Sequence, residues 1–470
     1  MQELHEECGV FGAFGVPDAA FVTFMGLQSL QHRGQQGCGI AAAGADGKIR
    51  MHKSQGLVKD VFSEEEVSGL PGRISIGHVR YPTTDVGGPE NLQPFVIRSK
   101  DGVFSIAHNG NITNSEEVKS MLDMDGQLFQ STSDSELFPH LIGMGRADKG
   151  MAGAIMAAAN YLDGAFSTVV MTPDKLYACR DKYGFRPLCI GKLGDGYVVS
   201  SETCALDMVG AEFIRDVEAG ELVCIGDDGI KSLRHSLFQG KCMCAMEFVY
   251  FARPDSVIEG CSVHIFRKKS GMLLYEECPT EADMIINVPD SSLSAAIGYA
   301  QASGFPLEMG LLKNRYVART FIQPDQSMRD VGVHMKLSPM QDIVKGKRLV
   351  VIDDSIVRGT TTRQVVRMLR DAGALEVHLR IASPKYAWPC FYGIDTGTHE
   401  QLIGSKLSTK EICSYLGADS LYYLSEQALF QASGRTGLCT ACFSGKYPTD
   451  LYGYEENQQG LNTEKEDPEG

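Results

Sequence analysis

Two adjacent carboxylates in the C-terminal half are followed by a run of residues suited to binding phosphate. Leu349–Ile352 is short, apolar and rich in β-branched side chains, which is typical of a buried parallel strand, and Asp353 and Asp354 follow it directly. The hydroxyl, guanidinium and glycine positions that come next are Ser355, Arg358, Gly359, Thr360 and Thr361. Hydroxyls and N–H groups at the start of a helix bind phosphate oxygens, and neighbouring acids bind ribose hydroxyls or Mg²⁺. The stretch therefore predicts a site for a phosphorylated sugar.

The elements around these acids must hold them at the end of a sheet. Val365, Met368, Leu369 and Ala372 recur at helical spacing after the loop, and Gly373 ends the pattern. The loop has neither the Gly-Lys-Ser/Thr of a P-loop nor the glycine pattern of a dinucleotide-binding turn. An ordinary strand–helix turn with two solvated acids is the alternative, and the convergence of so many phosphate-binding groups favours a site.

A cysteine near the start of the chain is a candidate nucleophile. Cys8 begins the sequence Cys-Gly-Val-Phe-Gly after the acidic stretch Met1–Glu7. Removal of that stretch would give Cys8 a free α-amine, and an α-amine titrates near neutrality, so it could serve as base for the thiol of the same residue. The alternative is a structural cysteine, which is the commoner role.

Three further polar positions in the N-terminal half stand where predicted strands or helices begin or end. Ile74–Tyr81 alternates like a strand and carries Arg80, whose guanidinium could bind a carboxylate or lie on a solvated edge. Asn109 and Gly110 follow a second strand-like run, where they could supply N–H donors to an oxyanion or form a simple turn. Asp134 precedes a helical pattern and could be its N-cap.

The chain divides by pattern into two halves and a tail. Short strands and turns alternate from Ala165 to Leu233, after helical patterns at Ser133–Met144 and Met151–Leu162. Past about Leu237 strands alternate with helices, as in a parallel α/β sheet. The expected divisions are a propeptide over 1–7, a first domain over 8–236, a second over 237–450 and a disordered tail over 451–470.

Composition limits the partners. The chain has 470 residues, 43% of them hydrophobic, and a net charge of −15. That charge argues against nucleic acid or anionic membranes as main partners, and no apolar run reaches membrane-spanning length. The acidic start is not a signal peptide, so we expect a cytoplasmic protein whose 14 cysteines stay mostly reduced.

Together these motifs resemble one enzyme family. Val351–Thr361 resembles the phosphoribosyl pyrophosphate loop of type I phosphoribosyltransferases. Its sequence Asp-Asp-Ser-Ile-Val-Arg-Gly-Thr is similar to that of the glutamine phosphoribosylpyrophosphate amidotransferases. Cys8–Gly12 is similar to the mature N-terminus of class II glutamine amidotransferases. The resemblance extends from about Glu6 to Thr449. It implies an α+β N-terminal nucleophile hydrolase domain of αββα layers, followed by an α/β type I phosphoribosyltransferase domain with a parallel sheet.

The resemblance also implies roles for individual residues. In the glutaminase half it makes Cys8 the nucleophile and Asn109 with Gly110 the oxyanion hole. It assigns glutamine binding to Arg33, Arg80, Thr83 and Asp134. In the second half it implies that Lys313, Arg315 and Arg319 bind pyrophosphate from a segment extending to about Leu337, that the Asp353–Thr361 loop binds the sugar phosphate, and that Ser291, Asp353 and Asp354 bind Mg²⁺. Gln36, Pro82 and Ala318 depart from the family pattern.

Four cysteines in the second half match a metal-binding set. Cys439 and Cys442 form a C-x-x-C motif, and Cys244 and Cys390 lie far upstream. Four thiolates could hold zinc or a [4Fe–4S] cluster, and spacing does not choose between them. The resemblance to the iron–sulfur branch of the family favours the cluster. Cys242 is a near neighbour of Cys244 and an alternative ligand.

The function implied is glutamine-dependent synthesis of 5-phosphoribosylamine from phosphoribosyl pyrophosphate, the first step of purine synthesis. Cys8 would release ammonia from glutamine, and ammonia would displace pyrophosphate at the second site. The family resemblance also implies inhibition by purine nucleotides and a homo-oligomer, a dimer or tetramer. The alternatives are a class II amidotransferase with another acceptor, and a non-enzymatic sensor of phosphoribosyl pyrophosphate with a degenerate hydrolase domain.

Overall fold

The computed structural model describes residues 8–81, 88–99, 102–234, 240–314, 337–396 and 398–453, with the backbone alone at 99 and 146–149. Two antiparallel sheets are formed by the N-terminal half and one parallel sheet by the C-terminal half. This is the αββα and α/β architecture that the sequence predicts. The predicted domain boundary at 236/237 and the 1–7 segment fall outside the described residues and stay predictions, as does most of the tail.

The two N-terminal sheets lie face to face. The seven-stranded sheet has the order Glu212–Asp216, Cys189–Leu193, Gly196–Ser200, Gly9–Phe14, Ile74–Arg80, Gly37–Ala43 and Ile49–Gln55. The six-stranded sheet has the order Gly229–Arg234, Glu221–Gly226, Leu176–Arg180, Gly164–Met171, Gly102–Ile112 and Phe95–Ser99. Val10 and Ile76 of the first sheet share a core with Ala107, Val169 and Leu176 of the second. The strands are buried on both faces because helices cover the outer sides.

Helices complete the four layers. The N-terminal helices are Ala19–Ser29, Val58–Val61, Glu64–Ser68, Ser115–Met124, Leu137–Tyr161 and Thr203–Val209, with 3₁₀ turns at Gln31–Arg33, Pro89–Asn91 and Asp134–Glu136. Leu27 packs with Val79 over the first sheet, whereas Leu122 and Ile155 pack with Phe166 over the second. The predicted helix start at Ser133 is wrong, since residues 134–136 form a 3₁₀ turn and the helix begins at Leu137.

The C-terminal half is built on a four-stranded parallel sheet. Its strands, in spatial order, are Met284–Asn287, Arg348–Asp353, Glu376–Ile381 and Ser420–Tyr423. Leu349 and Val351 face one core with Val365, whereas Val350 and Ile352 face another with Phe266. Because its side chains alternate between two apolar cores, the strand has the continuous apolar sequence Leu349–Ile352.

Helices and short strands surround this sheet. The helices are Val263–Glu277, Leu293–Ser303, Gln341–Val344, Thr360–Asp371, Ile403–Lys406, Thr409–Leu416, Glu426–Ser433 and Ala441–Ser444, with a π-helical turn at Glu247–Phe251 and a 3₁₀ turn at His399–Gln401. The paired short strands are Met243–Cys244 with Leu438–Cys439, Val257–Ile258 with Cys261–Ser262, and Leu311–Lys313 with Leu337–Pro339. Within the described ranges, no helix combines the length and apolar character needed to cross a bilayer.

Candidate active sites

Cys8 stands at the head of a rigid strand. Every residue of Gly9–Phe14 is buried, whereas Cys8 itself is half-buried. The Cys8 thiol donates to the carbonyl oxygen of Tyr81 at 3.6 Å, and Arg33 Nε donates to the Cys8 carbonyl oxygen at 3.2 Å. The thiol is thus held by buried structure while its residue stays partly open to solvent. The predicted propeptide lies outside the described residues.

Arg33 lies in a buried ion-pair network that joins the two halves of the chain. Its guanidinium donates to Glu202 at 2.6 Å and to the two carboxylate oxygens of Glu247 at 2.6 and 2.9 Å. Arg186 donates to the same Glu247 carboxylate at 3.4 Å. Glu247 belongs to the C-terminal half. Because the Arg33 guanidinium already bonds two carboxylates, it is better suited to support the Cys8 backbone than to bind a substrate directly.

Glu202 is ionised within this network. Burial would raise the pKa of its carboxyl, but His32 and Arg33 outweigh burial and hold that pKa well below its usual range. His32 Nε2 lies 2.7 Å from the Glu202 carboxylate, and Ser256 Oγ donates to it at 2.7 Å. The predicted site residues did not include Glu202, Glu247 or Arg186. No local pattern marks them, because each acquires its role through a partner distant in sequence.

Arg80 ends its strand beside the turn that carries Gln36. Its Nη1 donates to Gln36 Oε1 at 3.3 Å, and the Gln36 backbone N–H donates to the Arg80 carbonyl at 3.1 Å. A Cβ on Gly34 would come within 2.7 Å of the Arg80 backbone, so this turn passes tightly against the strand. Gln36, which departs from the family pattern, therefore contacts Arg80. Thr83 and Pro82 fall in the part of the chain that the structure does not describe.

Asn109 presents an unbonded amide in the protein interior. The residue is fully buried, and neither Nδ2 nor Oδ1 has a hydrogen-bond partner among the residues that the structure describes. Gly110 follows with φ of +142°, and a Cβ there would overlap the Ala165 carbonyl. Buried polar groups are nearly always hydrogen-bonded, so an exception marks a candidate substrate contact.

Asp134 adjoins the end of the Asn109 strand. Its Oδ2 accepts the backbone N–H of Ile112 at 2.8 Å. Ser133 caps the following 3₁₀ turn by accepting the backbone N–H of Ser135, so the N-cap is Ser133 and not Asp134. The structure thus brings Asp134 to Ile112, at the end of the strand that carries Asn109 and Gly110.

Two histidines that flank this region are unsuited as bases at neutral pH. Burial, aided by Arg80, lowers the pKa of His78 to about 3. Burial also lowers the pKa of His108. His78 Nε2 lies 3.1 Å from the His108 carbonyl, and His108 Nδ1 lies 2.8 Å from Ser135 Oγ. Both imidazoles therefore serve as neutral hydrogen-bonding groups.

The second candidate site lies at the carboxyl end of the parallel sheet. Asp353 ends the central strand, and Asp353 and Asp354 are both buried, 8% and 7% exposed. Asp354 accepts hydrogen bonds from Ser355 Oγ at 2.8 Å and from Ser291 Oγ, while its backbone N–H donates to Asp353. Ser291 comes from the loop after the neighbouring strand. Two strand–loop–helix units therefore meet at one edge, the usual ligand position in such sheets.

The loop after these acids leads into a helix N-terminus. Gly359 caps the helix Thr360–Asp371 with φ of +76°, and a Cβ there would lie 2.9 Å from Ile403. Arg358 donates to Gln401 at 2.8 Å. Thr360 and Thr361 occupy the first helical turn, where the backbone N–H groups can meet an anion.

The predicted pyrophosphate cations are described only in part. Lys313 forms an exposed ion pair with Asp290 at 3.1 Å. Asp290 stands beside Ser291, so Lys313 is near the second site. Arg315, Ala318 and Arg319 are outside the described residues, and their predicted roles stay predictions.

The four predicted cluster cysteines come from three separate segments that meet. Cys244 and Cys439 are paired in adjacent parallel strands. The Cys442 carbonyl accepts the backbone N–H groups of Ala387 and Trp388 at 3.0 Å, which brings the Cys390 loop alongside. Burial, together with Cys244, Cys390 and Cys439, raises the pKa of the Cys442 thiol. The donor set is thus four neighbouring thiols of the kind that an iron–sulfur cluster or zinc takes.

These thiols are not arranged as a finished metal site. No group of three or more His, Cys, Asp or Glu side chains within the described ranges stands where it could hold a metal ion. All 14 cysteines are free thiols. A hydrogen bond from Cys242 is the main cause that raises the pKa of the Cys439 thiol, so Cys242 also lies at this position. The choice of ligands and of metal stays a prediction.

Comparison with known proteins agrees with this arrangement. A family model for a glutamine amidotransferase domain matches residues 78–208. The amidophosphoribosyltransferase of Bacillus subtilis (strain 168) is 51% identical over 456 residues, which cover 96% of this chain and 95% of that protein. That of Staphylococcus aureus (strain Mu50) is 47% identical over 462 residues, covering 97% and 93%.

Solved structures give the same result. Glutamine phosphoribosylpyrophosphate amidotransferase from Bacillus subtilis, complexed with ADP and GMP, superposes with a TM-score of 0.90 at 50% identity, over 95% of this chain and 98% of that one. A structure described as the allosteric regulatory enzyme of purine biosynthesis superposes with a TM-score of 0.91 at 50% identity, over 95% and 97%.

The fold and the two sites define a class: a glutamine amidotransferase domain joined to a phosphoribosyltransferase domain with a parallel sheet. The chain belongs to the amidophosphoribosyltransferase family. It is the enzyme of the first step of purine biosynthesis, which makes 5-phosphoribosylamine from phosphoribosyl pyrophosphate and glutamine. The predicted function is confirmed, and the alternatives of another acceptor and of a non-enzymatic sensor are wrong.

Proposed function

We propose that Cys8 is the nucleophile of the glutaminase half and that Asn109 and Gly110 stabilise the oxyanion. The Cys8 thiol attacks the amide carbon of glutamine, ammonia leaves, and water hydrolyses the resulting thioester to glutamate. The single observation that carries this assignment is the buried Asn109 amide, which has no hydrogen-bond partner in the structure. A buried donor without a partner is available to negative charge that develops on the substrate.

Glutamine is held at its two charged ends. In this proposal Arg80, at the end of its strand, binds the α-carboxylate, and Asp134 binds the α-ammonium. The contacts of Arg33 support a positioning role, because its guanidinium already bonds two carboxylates and the Cys8 carbonyl. The α-amine of a processed Cys8 is the proposed base, since His78 and His108 are neutral and buried.

In the second half, ammonia displaces pyrophosphate from C1 of the ribose. Asp353 and Asp354 bind the ribose hydroxyls, while Ser355 to Thr361 surround the 5-phosphate with hydroxyls and N–H groups. Lys313, Arg315 and Arg319 neutralise the leaving pyrophosphate. The oxygen donors of Ser291, Asp353 and Asp354 lie close together and suit Mg²⁺, which would offset the negative charge of pyrophosphate when bound.

The remaining proposals concern cofactor, regulation and assembly. Cys244, Cys390, Cys439 and Cys442 would hold a [4Fe–4S] cluster that ties the C-terminal segment to the body of the domain. The Bacillus subtilis structure contains ADP and GMP, which supports inhibition of this enzyme by purine nucleotides. We further propose the domain limits 8–236 and 237–450, a dimer or tetramer, and a cytoplasmic location.

Asn109→Ala tests the glutaminase assignment. Removing an oxyanion donor lowers kcat by about 100-fold or more, so glutamine-dependent pyrophosphate release should fall by about that factor while ammonia-dependent release persists. Asn160→Ala, at an exposed helix end, is the matched control. Unchanged glutamine-dependent turnover in Asn109→Ala would overturn the oxyanion assignment.

A further inference from the structure

The strand segment Asn109–Asn111 is in direct contact with a loop of the other domain. Asn111 Nδ2 donates to the carbonyl oxygen of Phe391 at 3.0 Å, and this bond is buried. A Cβ placed on Gly393 would lie 3.1 Å from the carbonyl carbon and 3.3 Å from the Cα of Gly110. The backbones at these two glycines are therefore packed against each other with no room for a side chain.

A second set of contacts fixes the same loop from the other side. Arg186 Nε donates to the Tyr392 carbonyl at 3.1 Å, and its Nη2 donates to the same oxygen. The Arg186 carbonyl accepts a hydrogen bond from Ser167 Oγ at 3.1 Å, and Ser167 is the strand partner of Asn109. The Tyr392 ring stacks on Phe185 with 4.3 Å between centroids. The loop is thus attached directly to the strand that carries Asn109 and Gly110 and, through Arg186, to the neighbouring strand that carries Ser167.

We propose that the segment Cys390–Gly393 of the C-terminal domain is a positioning element for the oxyanion hole of the glutaminase domain. Among the described residues the Asn109 side-chain amide has no hydrogen-bond partner, so its orientation depends on the strand backbone that continues through Gly110 and Asn111. That backbone is held by Phe391 and Gly393. The inference rests on the proposed role of Asn109 and adds to it a contribution from the other domain.

The geometry explains why the contact acts on turnover more than on binding. Oxyanion donors stabilise the transition state of hydrolysis. Displacing them by a fraction of an ångström reduces that stabilisation, while the groups that bind glutamine in the ground state stay in place. Arg80 donates to Gln36 and Asp134 accepts from the Ile112 backbone, so both residues have contacts within the glutaminase domain itself. Glutamine binding should therefore change less than hydrolysis.

Two variants on opposite sides of the contact test the proposal. Gly393→Ala introduces a methyl group against Gly110 at a position with φ of +108°, and Asn111→Ala removes the bond to Phe391 from the glutaminase side. Gly417→Ala is the matched control for backbone strain, since Gly417 has φ of +74° and nothing within 4 Å of the added Cβ. All are measured in the full-length enzyme.

We expect glutaminase kcat to fall about tenfold or more in both variants, with the glutamine KM and ammonia-dependent synthesis within about threefold of wild type. Alkylation of Cys8 by iodoacetamide needs no oxyanion hole and should keep its rate. Gly417→Ala should match wild type in every assay. Wild-type kcat in both variants, or equal loss of glutamine-dependent and ammonia-dependent activity, would overturn the proposal.

Asn109→Ala, measured alongside, separates the two hypotheses. If Asn109→Ala loses turnover and the two contact variants do not, the positioning role is wrong while the oxyanion assignment stands. If Asn109→Ala retains turnover, the oxyanion assignment itself fails.

Discussion

At the residue scale, the proposed glutaminase chemistry requires a base for the Cys8 thiol. The buried histidines near it are held neutral, because burial lowers the pKa of both. An N-terminal amine supplies the missing base only if the seven preceding residues are removed. The assignment of Cys8 as nucleophile therefore depends on the predicted removal of Met1–Glu7.

Intact mass of the purified enzyme should correspond to loss of Met1–Glu7. Cys8→Ala should abolish glutamine-dependent synthesis and leave ammonia-dependent synthesis intact, because the second site has its own residues. Cys38→Ala, at a buried thiol of the same domain, is the control for loss of a cysteine. Full glutamine-dependent activity in enzyme that retains residues 1–7 would contradict the N-terminal nucleophile.

At the element scale, the loop between Asp353 and Thr360 is shaped by one glycine. Gly359 has φ of +76° and precedes the first turn of a helix whose buried face includes Val365 and Leu369. An L-residue with this φ costs about 1–2 kcal/mol, and here the added methyl group would also meet Ile403. The loop would respond by shifting the N–H groups that are proposed to bind the phosphate.

Gly359→Ala should raise the KM for phosphoribosyl pyrophosphate about 5- to 30-fold, the factor that corresponds to the 1–2 kcal/mol above. Gly434→Ala is the control, since Gly434 also has positive φ, +65°, and open space around the added Cβ. Steady-state kinetics with ammonia as donor isolates the second site. Equal KM values in the two variants would show that the loop conformation does not depend on Gly359.

Also at the element scale, the segments that carry Cys244, Cys390 and Cys439–Cys442 come together in the fold. If a [4Fe–4S] cluster is bound, the enzyme should purify brown with about four irons per chain. Cys390→Ser should lose the metal, and Cys242→Ser should keep it, since Cys242 is the neighbour and not the predicted ligand. Zinc without iron in metal analysis would contradict the cluster, and metal loss in Cys242→Ser alone would reassign the ligand.

At the scale of the whole molecule, a buried network of Arg33, Glu202, Glu247 and Arg186 connects the domains. Leaving one charge of such a network unpaired typically costs about 3–5 kcal/mol. The folded-state pKa of Glu202 lies below its ordinary value of 4.5, so its contribution to stability is complete above pH 4.5. That contribution is lost as the pH falls below 4.5 and protons bind to the carboxylate.

Unfolding midpoints measured from pH 7 to pH 4 and below should therefore fall for the wild type as the pH decreases. Glu202→Gln should have a lower midpoint at pH 7 and a shallower decrease on acidification, because it has no carboxylate to protonate there. Glu64→Gln, at an exposed helix start, should follow the wild type. Parallel curves for Glu202→Gln and wild type would contradict a role for this carboxylate in the acid response.

The sequence by itself determined the local units of the fold. The run ending at Asp353, the glycine at 359 and the helical spacing of Val365 and Leu369 depend on neighbouring residues, so periodicity and turn chemistry were sufficient to predict them. The resemblance likewise assigned Cys8, Asn109 and Asp134 to one glutaminase site, and that assignment stays a prediction. The predicted helix start at Ser133 failed because a 3₁₀ turn precedes the helix, where Ser133 accepts the Ser135 backbone N–H and Asp134 accepts that of Ile112, earlier in the chain.

Only the tertiary structure decided which distant groups complete each site. Arg33 meets Glu247 across 214 residues, and Asn111 meets Phe391 across 280. Such pairs leave no periodic or local signal, because they form only when separately folded layers pack and buried charges or amides must find partners. The sequence identified the candidate reacting groups, whereas packing between the domains determined which contacts position them.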